Sequence, residues 1–132
     1  MATQIDLARG WMLKGESDRL TAERTVQSPG PYDTACFHAQ QAVEKYLNAV
    51  LAPAGSPIPR THVLKDIYDQ CLAVEPALVL DRTELSILTP YAVPLRYDVG
   101  FWPDQATAQE ALATVDRVRT AVLSVLPSSA HP

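Results

Sequence analysis

The chain has 132 residues and a formal net charge of −4, and 47% of its residues are hydrophobic. This length suits one domain of ordinary size, and the apolar fraction is enough for a core without disulfide or metal staples. An acidic chain gains little from counterion release on nucleic acid, although a local basic cleft remains compatible with it. The sequence shows no apolar run of ~18 residues and no basic leader followed by an apolar one, so we expect a cytoplasmic protein.

Cysteine usage also narrows the class of protein. Cys36 and Cys71 form no CxxC motif, and no histidine lies at metal-ligand spacing from either of them. Both fall on the apolar faces of predicted helices. This placement predicts buried, reduced thiols, and we expect neither a disulfide framework nor a metal or other cofactor.

Apolar residues recur at helical spacing through the first fifty positions. They predict a first helix over about 3–27, in which Gly15 marks the close approach of a neighbouring helix. A turn over 28–31 ends this helix. A second helix is predicted over about 32–51, with Pro31 suited to its first helical position.

The three remaining helices are predicted to begin at good N-cap residues, which are Thr61, Asp81 and Asp104. The fourth helix contains Pro90 and Pro94, so we expect it to continue with a kink that frees the carbonyls of Ser86 and Pro90. The fold class is therefore an all-α, up-and-down bundle of about five helices over residues 1–127. A disordered tail is predicted at 128–132.

Standard catalytic patterns do not occur, since the chain has no GxGxxG, P-loop, GxSxG or HExxH motif. Two local sequences stand out instead. The first is the segment FHAQQAVEK at residues 37–45 on the second helix, and the second is LRYD at residues 95–98. A weaker third feature is the pair Thr61-His62 at the predicted start of a helix.

These motifs, in this order, resemble those of the HEPN domain family, whose pattern is F-H-x-x-Q-x-x-E-K, then T-H-x-L, then R-Y. The matching residues are Phe37, His38, Gln41, Glu44 and Lys45, then Thr61, His62 and Leu64, then Arg96 and Tyr97. The resemblance covers about residues 5–125. It implies an up-and-down helical bundle, often dimeric, that commonly acts as the partner of a minimal nucleotidyltransferase in toxin–antitoxin fashion.

Other members of that family are metal-independent ribonucleases with an R-x(4–6)-H motif at the end of the fourth helix. In this chain the positions where the histidine should follow Arg96 hold Phe101, Trp102 and Pro103. RNA cleavage needs a group that moves a proton near neutral pH, and these three side chains have none. We therefore assign no catalytic residue.

The candidate ligand-binding residues are Arg96, Tyr97, Asp98, His38, Gln41, Lys45 and His62. A guanidinium in the apolar neighbourhood of Arg96 suits either a phosphate or a buried carboxylate, such as Asp18 or Glu44. His38 suits a structural role equally well, and His62 suits a local turn contact. Tyr97 and Trp102 suit either stacking on bases or a place in the core or an interface.

The leading hypothesis is a non-catalytic HEPN-type binding or regulatory module. We expect a homodimer that partners a minimal nucleotidyltransferase and binds a nucleotide or RNA phosphate near Arg96. One alternative is an endoribonuclease toxin with a divergent site built from Arg96, Tyr97 and Asp98. Another is a purely structural dimer.

Overall fold

The computed structural model describes residues 2–132, and helices form nearly all of its regular structure. The α-helices are α1 (Gln4–Val26), α2 (Asp33–Leu51), α3 (Leu64–Val74), α4 (Arg82–Leu88) and α5 (Gln105–Val125). Short 3-10 turns occupy Ala52–Ala54, Thr89–Tyr91 and Ser128–Ala130. No strand occurs in the described residues, so the predicted all-α fold is confirmed. None of the helices described is long and apolar enough to span a bilayer.

The second helix lies at the centre of the bundle, because it packs against α1, α3 and α5. Its buried face is almost wholly apolar and includes Ala35, Cys36, Ala39, Ala42, Val43, Tyr46, Leu47 and Val50. Cys36 and Cys71 are both free and fully buried, as predicted. Burial raises the pKa of Cys36 to about 11 and that of Cys71 to about 12, which keeps both thiols protonated at neutral pH.

Gly15 of α1 lies against the side chain of Tyr46 on α2. A Cβ atom at this position would lie 2.5 Å from Cε1 of Tyr46, whose side chain is fully buried. The absent side chain therefore makes room for the tyrosine ring. This confirms the predicted reason for a glycine inside the first helix.

A polar network joins three helices beside this contact. Glu16 on α1 accepts hydrogen bonds from the Tyr46 hydroxyl on α2 at 2.5 Å and from Nε of Arg119 on α5 at 2.6 Å. Partial burial by itself raises the pKa of Glu16. The hydrogen bonds from Arg119 and Tyr46 outweigh burial and leave that pKa lowered. Glu16 is therefore ionised at neutral pH and holds the three helices in register.

Two residues predicted at helix starts lie outside the helices. Pro31 follows a cis peptide bond and lies two residues before Asp33, the first residue of α2. Thr61 does not cap α3, which begins at Leu64 after Val63 as its N-cap. The Thr61 hydroxyl instead accepts a hydrogen bond from the Val63 amide, which closes a local turn ahead of the helix.

The fourth helix is shorter than predicted. Asp81 caps it as expected, but the α-helix ends at Leu88, and Pro90 lies in the 3-10 turn that follows. Turns rather than a kinked helix then continue through residues 92–97. The sequence predicts a free carbonyl at Pro90. This carbonyl instead accepts a hydrogen bond from the Leu95 amide at 3.0 Å. Two prolines four residues apart remove too many amide donors for an α-helix to persist.

The predicted start of the fifth helix agrees with the structure, since Asp104 caps α5. The tail that the sequence predicts as disordered forms a 3-10 turn in which Ala130 is fully buried. The His131 ring contacts the carbonyls of Leu123 and Leu126, and its own carbonyl accepts a hydrogen bond from Arg9. These contacts attach the tail to α5 and α1.

Candidate functional site

Arg96 lies in the turn after α4 and stacks on aromatic rings. Its guanidinium carbon is 4.0 Å from the ring centroid of Phe37 on α2 and 5.7 Å from that of Tyr97. Within residues 2–132 it forms no ion pair, and Asp18 and Glu44 each bind other partners. Of the two partners that the sequence left open for Arg96, the buried carboxylate is therefore not the one that the structure shows. Arg96 is an exposed residue, and a stacked guanidinium keeps its N–H donors in the plane, where a ligand can accept from them.

A surface pocket of about 320 Å³ lies beside this stack. Its lining residues are Asp33, Leu95, Arg96, Tyr97, Asp98, Val99, Phe101 and Trp102. Tyr97 and Trp102 are 72% and 67% exposed, so their rings offer open faces for stacking. Phe101 is partly buried instead and stacks on Tyr91, with ring centroids 5.6 Å apart. The pocket thus combines one guanidinium, two carboxylates and exposed aromatic surface.

Asp98 shapes the turn that forms one wall of the pocket. Its Oδ1 accepts a hydrogen bond from the Gly100 amide at 2.9 Å. This contact is a local Asx turn, in which the side chain substitutes for a backbone acceptor. Asp98 therefore has a structural role in addition to any contact with a ligand.

His38 and Lys45 form a separate cluster around Asp18. Nδ1 of His38 lies 2.8 Å from one carboxylate oxygen of Asp18, and Nζ of Lys45 donates to the other at 2.5 Å. Asp18 is only 9% exposed, so two cationic or polar partners from α2 satisfy a nearly buried carboxylate from α1. The structure thus favours the structural role for His38 that the sequence left open.

Gln41 and His62 belong to a third group, which is centred on Glu44 and the fully buried Gln40. Nδ1 of His62 lies 3.0 Å from Oε2 of Glu44, and the Gln41 amide donates to Oε1 of Gln40 at 2.7 Å. Gln40 also donates to the His62 carbonyl at 3.1 Å. These contacts fix the segment before α3 against α2 and leave the His62 ring exposed.

The seven predicted residues therefore lie in three groups rather than in one site. Arg96, Tyr97 and Asp98 line the pocket, while the other four hold α1 and the start of α3 against α2. Sequence reasoning missed Asp33, which is not among the seven candidate residues. The signal was present, because Asp33 and Phe37 are four residues apart and so share one face of α2.

Comparisons with known proteins agree with this architecture. The crystal structure of TT1696 from Thermus thermophilus superposes with a TM-score of 0.76 at 22% sequence identity, over 90% of this chain and 98% of that one. At this identity the likeness concerns the fold alone. No curated protein sequence matches the chain significantly. A family model described as the HEPN domain matches residues 8–125, and the chain therefore belongs to the HEPN domain family.

Proposed function

We propose that this protein is a non-catalytic HEPN-type binding module that holds the phosphate of a nucleotide or of RNA on Arg96. The observation that carries the proposal is an exposed arginine, free of ion pairs within residues 2–132, beside a pocket with open aromatic faces. A planar guanidinium donates two parallel hydrogen bonds to a phosphate, and aromatic rings stack on bases of any sequence. Stacking on Phe37 also orders the guanidinium before the ligand arrives.

The absence of a histidine among the described residues that line the pocket with Arg96 supports binding rather than cleavage. In the three positions where related ribonucleases carry their histidine, this chain has two aromatic residues and a proline, and Phe101 is committed to its contact with Tyr91. The histidines of α2 and of the α3 entry are held by Asp18 and Glu44 and do not line the pocket. A phosphate on Arg96 would therefore meet a cation but no adjacent imidazole.

The test is Arg96→Ala, measured by titration with nucleotides and with short single-stranded RNA. Loss of a charge-assisted hydrogen bond is worth ~1.5–3 kcal/mol, so affinity should fall by roughly ten- to a hundredfold. Arg96→Lys should restore only part of the affinity, since lysine lacks the planar fork. The matched control is Arg60→Ala, because Arg60 is also exposed but does not line the pocket.

Melting temperatures should stay close to that of the wild type for all three variants, because Arg96 makes no ion pair within the described chain. Unchanged binding in Arg96→Ala would refute the phosphate site. Cleavage of labelled RNA by the pure protein in the presence of a metal chelator would instead favour the ribonuclease alternative.

We also propose a protein partner, a minimal nucleotidyltransferase. A minimal nucleotidyltransferase encoded beside this protein should form a stable complex with it when the two are co-expressed, as in toxin–antitoxin pairs. The family assignment motivates this part, and the pocket beside Arg96 gives a nucleotide-handling partner a surface to act on. Two proteins that elute separately at micromolar concentrations would refute the pairing and leave the phosphate site untouched.

A further inference from the structure

Asp33 is the pocket residue that phosphate binding does not use. It lies in the first turn of α2, is half-buried and lines the pocket together with Arg96. Within residues 2–132 its carboxylate forms no hydrogen bond or ion pair, whereas Asp98 already accepts one from Gly100. A ligand in the pocket therefore meets one guanidinium and one carboxylate with both oxygens available.

The Arg96 guanidinium and the Asp33 carboxylate bind different chemical groups of the same ligand. Arg96 offers N–H donors and suits an anion, while Asp33 offers only acceptors and suits a group with two adjacent N–H donors. In the same pocket, Tyr97 and Trp102 are largely exposed, and aromatic rings favour a planar aromatic group. A nucleotide carries all three features when its base has neighbouring N–H donors along one edge.

Among the common bases, guanine alone has two adjacent donors, the N1–H and the N2 amino group. Adenine and cytosine place a ring acceptor next to their amino group, and this acceptor would face a carboxylate oxygen. Uracil has one N–H between two carbonyls. A site built to accept hydrogen bonds from a base discriminates strongly against a base that lacks the donors.

We propose that the pocket is selective for guanine, with Asp33 accepting hydrogen bonds from N1–H and N2 while Arg96 binds the phosphate. This inference rests on the proposed phosphate site and adds the identity of the base to it. Asp33 thereby acts as a specificity-determining residue, and its place in the first turn of α2 sets the carboxylate at the positive end of that helix.

The experiment compares GMP, IMP, AMP and UMP by calorimetric titration of the full chain. GMP should bind at least about tenfold more tightly than AMP or UMP, because each mismatched base leaves the carboxylate poorly paired. IMP, which keeps N1–H but lacks the N2 amino group, should fall between GMP and AMP.

Asp33→Asn provides a sharper readout than loss of binding alone. The amide donates from its nitrogen and accepts at its oxygen, which is the pattern that pairs with adenine. The variant should therefore lose GMP affinity by roughly ten- to a hundredfold and bind AMP better than the wild type does. The matched control is Asp66→Asn, since Asp66 occupies the first turn of α3 and does not line the pocket.

The outcomes separate the two proposals. Equal affinity for GMP and AMP in the wild type would overturn guanine selectivity and leave phosphate binding intact. Failure of every nucleotide and of short single-stranded RNA to bind would overturn both. The order of the wild-type affinities tests guanine selectivity even if Asp33→Asn proves unstable.

A free nucleotide and a guanine within RNA present the same base and phosphate groups to the pocket. Tighter binding of the pentamer UUGUU than of GMP or UUAUU would assign the site to RNA.

Discussion

Single side chains decide where the helices of this protein meet. Gln40 is fully buried, yet its amide is satisfied by the His62 carbonyl, by Glu44 and by Gln41. A buried amide with these partners specifies the entry to α3 more narrowly than apolar packing would, because each misplaced partner leaves a polar group unpaired. The same logic explains why Asp18 is held from both sides by His38 and Lys45.

Gly15 leaves too little room for a side chain beside Tyr46. Gly15→Ala should destabilise the protein, because the new Cβ would lie 2.5 Å from Cε1 and 2.6 Å from Cδ1 of the buried Tyr46 ring. Overpacking of this kind costs about 1–3 kcal/mol and opposes the ~1 kcal/mol that alanine gains over glycine within a helix. Chemical denaturation would measure the net change.

Gly10 is the matched control for this substitution. It lies in the same helix, but a Cβ there would have no neighbour within 4 Å. Gly10→Ala should therefore stabilise the protein by up to about 1 kcal/mol. The explanation for Gly15 fails if both variants shift stability in the same direction by the same amount.

Polar contacts fix the register of the helices, whose buried faces are otherwise apolar. The Glu16 carboxylate receives a donor from α2 and another from α5, and thus ties three helices together at one point. The loop that carries Arg96 is shaped instead by residues close to it in the chain. Pro90 and Pro94 end α4 early, and the turns that follow bring Arg96 over α2.

Acid should weaken this three-helix contact. The pKa of Glu16 is lowered in the folded state, because hydrogen bonds from Arg119 and Tyr46 outweigh the effect of burial. A lowered pKa contributes stability that is present above the ordinary value of 4.5 and lost as the pH falls through the folded pKa. Urea unfolding should therefore become easier as the pH falls from about 5 to about 3.

Glu16→Gln isolates that effect. The variant should be less stable than the wild type at neutral pH, since Arg119 loses its carboxylate partner. Its stability should also depend less steeply on pH in the acid range. Parallel pH profiles for the variant and the wild type would mean that other carboxylates carry the acid sensitivity.

For the whole molecule, the exposed apolar residues around the pocket are the main observation. Val99 is 91% exposed and Trp102 is 67% exposed, and both lie in the turn that lines the pocket. Exposed apolar residues clustered in this way are typical of protein interfaces. A dimer through this surface would place the pocket at the subunit boundary, where both chains can line it.

We accordingly predict a homodimer at micromolar concentrations in sedimentation experiments. Val99→Asp should shift the protein toward the monomer, because a charge at the interface would be desolvated without a partner. Val79→Asp is the control, as Val79 is 79% exposed in the loop between α3 and α4 and lies outside the pocket. A wild-type monomer at these concentrations would contradict the prediction.

The fold class and the family could be predicted from the sequence alone. Apolar spacing located α1, α2 and α5 closely, and N-cap residues marked the starts of α4 and α5, because these signals depend on neighbours within one turn of the chain. The motifs on α2 and at Arg96 were likewise sufficient to recognise the HEPN pattern over most of the chain.

Only the tertiary structure decided which motif residues share a site. His38 and Lys45 turn toward Asp18 on α1, and His62 turns toward Glu44, so neither group reaches the pocket. Asp33 joins Arg96 because the turns after Pro90 fold back across the start of α2. Such pairings join residues far apart in the chain, and the direction in which a helix face points is set by packing against other helices rather than by local spacing.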